Sequence, residues 1–161
     1  MRGYEYHQVV RNYRDEDGKH CQEVLDHLGV HDSIEAAIAF RRKKIASHLE
    51  QAEALSKGVE DLEANLLELY SDDRGGEIPS LEEVRENYET LSHERDRPDY
   101  VHYYGTGEFN LSVELLAINL ERAEQTLDYY ELILQANQER ALASHWQEKL
   151  NKLLNIQATY F

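Results

Sequence analysis

Several classes are excluded by what the chain has little of. One cysteine, Cys21, in 161 residues rules out an internal disulfide framework and fits a reducing compartment, so a cytoplasmic location is expected. Apolar runs last only a few residues, as in Leu115-Leu116-Ala117-Ile118, so no membrane-spanning helix is expected. The opening Met1-Arg2-Gly3-Tyr4 lacks the apolar stretch of a secretory signal. Gly-x-Ser-x-Gly, His-Glu-x-x-His and Cys-x-x-Cys are all missing. Carboxylates abound, yet none stands in an apolar setting beside a His or Lys that would tune it as an acid or base. An enzyme is therefore not expected. His20-Cys21, His27 and His31 do not have the spacing of a zinc site, and Gly105-Thr106-Gly107 lacks the third glycine and the preceding strand of a phosphate loop. No metal and no cofactor is expected.

Two prolines and eight glycines leave long stretches unbroken, and 41% hydrophobic residues spread along the chain suffice for the core of one folded unit. Residues 4–13 are rich in tyrosine and valine, residues 20–28 end at Gly29, and Asp17-Gly18 between them is a hairpin turn signal. The alternation puts Tyr4, Tyr6 and Val10 on one side of the first strand, and Val24 and Leu28 on one side of the second. Two strands are marginal alone, so this hairpin must lean on a helix or another chain.

Asp32-Ser33-Ile34-Glu35 reads as a capping box. Behind it Ile38, Ile45, Ala52, Val59 and Leu66 recur every seven residues. Leu55, Leu62 and Leu69 continue a second line whose first two places are Arg41 and His48. This predicts a helix from about Ser33 to Tyr70, roughly 55 Å long. Ser71–Gly76 breaks it. Ser80 caps a shorter helix ending near Pro98. A last helix runs from about Asn110 to Ile156, with Val113, Leu120, Leu127, Leu134 and Ala141 on one heptad line and Leu116, Ala123 and Tyr130 on its companion. The predicted fold is mainly α: an N-terminal β-hairpin module (1–31) followed by a long-helix antiparallel bundle or coiled coil (32–161) of three helical segments.

Charge is unevenly placed. Residues 1–48 hold eight Lys and Arg against eight Asp and Glu, and the remainder hold nine against 24, which accounts for the whole net charge of −15. Such asymmetry suggests two surfaces with different partners. The dense basic run is Arg41-Arg42-Lys43-Lys44, and Arg11, Arg14 and Lys19 lie on the neighbouring hairpin. With Tyr4, Tyr6 and Tyr13 they would form a surface fit for phosphates and bases. Read structurally, the same bases satisfy nearby acids or lay their stems along a bundle end. The last helix carries Leu115, Leu116, Ile118, Leu120, Tyr129, Tyr130, Leu132 and Ile133 over a wide arc, more than one antiparallel neighbour covers. That arc predicts a protein interface, with a homodimer as one form of it.

Tyr6, Val9-Val10, Asn12-Tyr13-Arg14, Asp17-Gly18-Lys19, Gln22, Val24-Leu25 and Leu28-Gly29 together resemble the opening segment of insertion-sequence transposases with an Asp-Asp-Glu core. The resemblance covers about residues 4–29. It implies a hairpin used for DNA contact or assembly. Nothing after Gly29 resembles the catalytic core, so transposase catalysis is not implied. The sequence thus leads to a non-catalytic helical adaptor that binds a larger protein, in a nucleic-acid-processing complex of a mobile element or defence system. The alternative is an acidic mimic of DNA that inhibits a nucleic-acid-binding enzyme, using Glu82, Glu83, Glu86 and Glu89 with Glu60, Asp61, Glu63 and Glu68.

Overall fold

A computed structural model describes residues 3–96 and 110–161; Tyr100, Tyr103, Tyr104 and the Gly105-Thr106-Gly107 loop lie outside them. The described elements are strands β1 (His7–Arg14) and β2 (His20–Gly29), then helices α1 (Ile34–Leu69), α2 (Ser71–Arg74), α3 (Leu81–Arg95) and α4 (Asn110–Tyr160). The fold is mainly α, as the periodicity predicts. Helix α1 begins one residue later than the capping box suggests, because the Ser33 hydroxyl, not Asp32, accepts from the Ala36 amide at 3.1 Å. Ser80 caps α3 by accepting from the Glu83 amide. The expected break after α1 contains the short turn of α2, closed by Gly75 and Gly76 at φ +62° and +83°.

The strands pair antiparallel around the Asp17-Gly18 turn. Gly18 has φ +77°, and the Asp15 carboxylate accepts from the Asp17 and Lys19 amides at 3.0 and 2.8 Å. Alternation fails farther along. His7 pairs with Gly29 but Gln8 with His27, and Val9 pairs with Asp26 but Val10 with Val24. Leu28 and Leu25 are thus extra residues in β2, and each such bulge turns its side chain out of the regular alternation. The core face is therefore built from Val9, Leu28 and the partly buried Leu25. Val24, expected there, is 44% exposed, and so are most of Tyr4 and Tyr6.

By compactness the chain divides into two units, Met1–Ala52 with Gln138–Phe161, and Glu53–Asn137. In the first, Val9, Leu28, Ala37, Ile38, Leu150, Leu153 and Ile156 form one core. The hairpin does lean on helices, here the first turns of α1 and the last turns of α4. Within this unit the two helices run antiparallel: the Gln157 amide donates to Glu35 at 3.5 Å, Arg41 reaches the Lys149 carbonyl, and His48 meets Glu139.

In the second unit the same antiparallel order continues. The Asn65 amide donates to the Gln125 carbonyl oxygen at 3.0 Å, and a Cβ on Gly58 would lie 3.6 Å from Leu132 Cδ1. Leu66 and Val84 are fully buried. Thr126 donates to the Arg122 carbonyl at 2.8 Å, so its oxygen accepts from the buried Tyr70 hydroxyl at 2.9 Å. The heptad line along α4 holds at Leu120 but not at Leu134, which is 54% exposed, nor at Ala141. The inward positions step from Tyr130 to Ile133 to Ala136 and resume at Ala143 and Leu150. Those extra three-residue steps rotate the buried stripe away from a strict seven-residue repeat. Among the described residues, no helix is long and apolar enough to cross a membrane.

Candidate nucleic-acid interface

All seven sequence-predicted basic groups fall in the hairpin unit, but they do different things. Arg41 points inward. Its Nη1 donates to Asp26 Oδ2 at 2.8 Å and to the Lys149 carbonyl at 2.6 Å, and its Nη2 donates to the His27 carbonyl at 3.0 Å. Side-chain exposure is 7% for Arg41 and 12% for Asp26, and Lys152 approaches the other Asp26 oxygen at 3.7 Å. Arg41 is thus a buried clamp joining α1, β2 and α4. Its place in the second heptad line is explained: a charge at that position has a carboxylate and two carbonyls waiting for it. His48, the other polar residue in that line, has its Nδ1 at 2.6 Å from Glu139 Oε2.

Arg11 is also engaged. It pairs across the strands with Glu23 at 2.9 Å and lies over the rings of Tyr13 and Tyr160, 5.0 and 5.7 Å from their centroids. Arg14 donates to His20 Nε2 at 3.1 Å. Lys19, Arg42, Lys43 and Lys44 are exposed, and the Lys44 ammonium lies 5.6 Å from the Phe40 ring centroid.

Phe40 leads to a group of rings that sequence reading missed. His31 packs on Phe40 at 4.6 Å, and Phe40 meets Trp146 edge to face at 5.7 Å and 81°. The Lys149 ammonium lies 4.8 Å from the Trp146 ring centroid. These side chains, with Tyr6 from the start of the hairpin and Arg41 beneath, line a cavity of about 360 Å³. Phe40 and Trp146 are far apart in sequence and neither belongs to an informative motif. The available signal was the single tryptophan in a polar stretch, Ser144-His145-Trp146-Gln147.

The apolar residues expected at an interface divide. Leu116 and Leu120 are buried within the second unit. The Tyr130 hydroxyl donates to the Pro79 carbonyl at 2.6 Å, and Tyr129, Leu132 and Ile133 are half-buried. Leu115 and Ile118 remain exposed. Burial pushes the Tyr129 and Tyr130 hydroxyls above the ordinary tyrosine range, and nearby carboxylates, Glu63 for the first and Glu83 for the second, add to this. Of the acids proposed for mimicry, Glu83 is occupied by Arg74 through two contacts at 2.6 and 3.2 Å, whereas Glu82, Glu86 and Glu89 are exposed. Among the described residues, no group of three or more His, Cys, Asp or Glu could hold a metal ion.

Charge follows the two units closely. The hairpin unit contains eleven Lys and Arg against eleven Asp and Glu, and residues 53–137 contain six against 21. All of the −15 belongs to the second. No curated protein and no solved structure matches the chain. Residues 1–62, the whole hairpin and α1 through Leu62, match the family model described as the IS1634 family transposase, N-terminal domain, which extends the resemblance seen at residues 4–29 and links this part of the chain to mobile elements.

Proposed function

We propose that this chain serves as a non-catalytic accessory in mobile-element machinery. It docks on a larger protein of a nucleic-acid-processing complex, and its hairpin unit is the part that touches nucleic acid. The match of residues 1–62 to a transposase N-terminal domain carries this reading, because it falls on the unit that contains the exposed Lys19, Arg42, Lys43 and Lys44. The neutral balance of that unit supports it too. A phosphate backbone approaching residues 53–137 meets a surplus of fifteen negative charges, and at the hairpin unit it meets none.

Tagged chain, cross-linked in the host that encodes it and purified under denaturing conditions, should carry both DNA and a protein of a mobile element. Recovery of the chain with neither contradicts the reading. The acidic excess of residues 53–137, with Glu82, Glu86 and Glu89 exposed along α3, favours one second reading, a DNA mimic. A mimic would compete with duplex DNA for a basic enzyme and would itself bind no DNA at any salt concentration.

A further inference from the structure

We propose that the ring-lined cavity of the hairpin unit holds one unpaired nucleobase together with its flanking phosphate. This rests on the reading that the hairpin unit contacts nucleic acid, and it names the form of nucleic acid. The lining combines two chemistries. Tyr6, His31, Phe40 and Trp146 supply flat π-surfaces and Lys149 places its ammonium over the Trp146 ring, while Lys44, outside the lining itself, reaches over the Phe40 ring. A flat, anionic ligand satisfies both at once: the base stacks, and the exposed lysines turn from the ring faces to the phosphate. A cationic ligand is disfavoured by the same lysines. Asp26, the carboxylate behind the cavity, is already held by Arg41 and Lys152.

Size and rigidity agree. A volume of about 360 Å³ sits at the low end of small-molecule sites, which span about 300–1,000 Å³. It admits a nucleotide and not a duplex, whose base faces are covered by their neighbours. Both walls are fixed beforehand, since Arg41 donates to the His27 carbonyl on the hairpin side and to the Lys149 carbonyl on the α4 side. A site built in advance does not have to be ordered by its ligand.

Trp146 is the one tryptophan of the chain, so its fluorescence reports on this cavity alone. The full chain is titrated at low salt with a ten-nucleotide oligothymidine strand, with an abasic strand of equal length, and with a duplex. Saturable quenching by the oligothymidine, and affinity for the abasic strand lower by about tenfold or more, is the expected result. Phe40→Leu should weaken oligothymidine binding about as much, and Lys149→Gln should weaken it and flatten its salt dependence. Circular dichroism of both variants should match the parent. Trp146→Phe, followed by anisotropy of a labelled strand, provides a variant that keeps a stacking ring and retains binding. Equal affinity for thymidine and abasic strands, or binding that leaves Trp146 unchanged, overturns the proposal while leaving nucleic-acid contact by the unit standing. No binding to any strand overturns both.

Discussion

The two units use the same pair of long helices and treat charge in opposite ways. In the hairpin unit one ion pair is drawn into the structure, Arg41 with Asp26, while the Arg11–Glu23 pair and the Lys152 ammonium stay at the surface. The sum is zero, and the heptad line tolerates Arg41 and His48 because each finds a partner on a neighbouring element. In residues 53–137 the corresponding positions are the half-buried Leu55 and Leu62 and the more exposed Leu69, the buried Tyr70 and Thr126 hydroxyls bond each other, and most of the described acids are exposed. A helix pair can therefore keep one packing pattern while its surface field changes from neutral to strongly negative. An anionic surface would be repelled by the excess negative charge of residues 53–137 and not by the neutral sum of the hairpin unit.

The comparison can be broken most severely at Arg41. Arg41→Met should cost about 3–5 kcal/mol, because Asp26 and two carbonyls lose their donor inside the protein. Adding Asp26→Asn should recover part of that loss. Urea unfolding measures both, and a near-parental midpoint for Arg41→Met would show that the clamp is not needed. Next come the fully buried leucines, one in each unit: Leu153→Ala and Leu66→Ala should each cost about 2–5 kcal/mol, with Leu62→Ala lower because that side chain is only half-buried. If either Leu153→Ala or Leu66→Ala keeps the parental midpoint, its unit lacks the core described.

A stabilising change is expected in the second unit. A methyl group at Gly58 would meet Leu132 at 3.6 Å, an ordinary contact, so Gly58→Ala should gain about 0.5–1 kcal/mol from helix propensity. A lower midpoint would mean that α1 and α4 pack more closely there. Smallest in stability is Arg42→Gln with Lys43→Gln and Lys44→Gln, which should stay within about 0.5 kcal/mol of the parent. The same triple variant should lower the salt slope of DNA binding, since each lost phosphate contact removes a released counterion. An unchanged slope would mark these three as solvated residues with no nucleic-acid role.

How far the sequence could be read depended on whether the signal was local. The Asp17-Gly18 turn, the Ser80 cap and the apolar line from Ile38 to Leu66 lie within a few residues of what they determine, and the structure contains all three. The hairpin's faces were not legible, since the bulges at Leu25 and Leu28 depend on a helix beneath that pulls both leucines to one side. Past Tyr130 the α4 seam was misjudged for a related reason: Leu134 fits the repeat and Ala136 fits the space. Arg41 stood out in sequence as part of a basic run, but Asp26 and the carbonyl of Lys149, which determine its role, are remote from it. The ring cavity was the least legible of all. Its parts come from the hairpin, α1 and α4, and only the folded chain assembles them.

Hydrogen exchange of the full chain, with and without a saturating oligothymidine strand, tests the division of roles most directly. Slowed exchange confined to residues 3–52 and 138–161, strongest around His27–His31, Phe40 and Trp146, is the outcome predicted when the neutral unit makes the contact and the acidic one does not. Protection centred on residues 53–137, or no protection anywhere in the chain while the strand is bound, would contradict it.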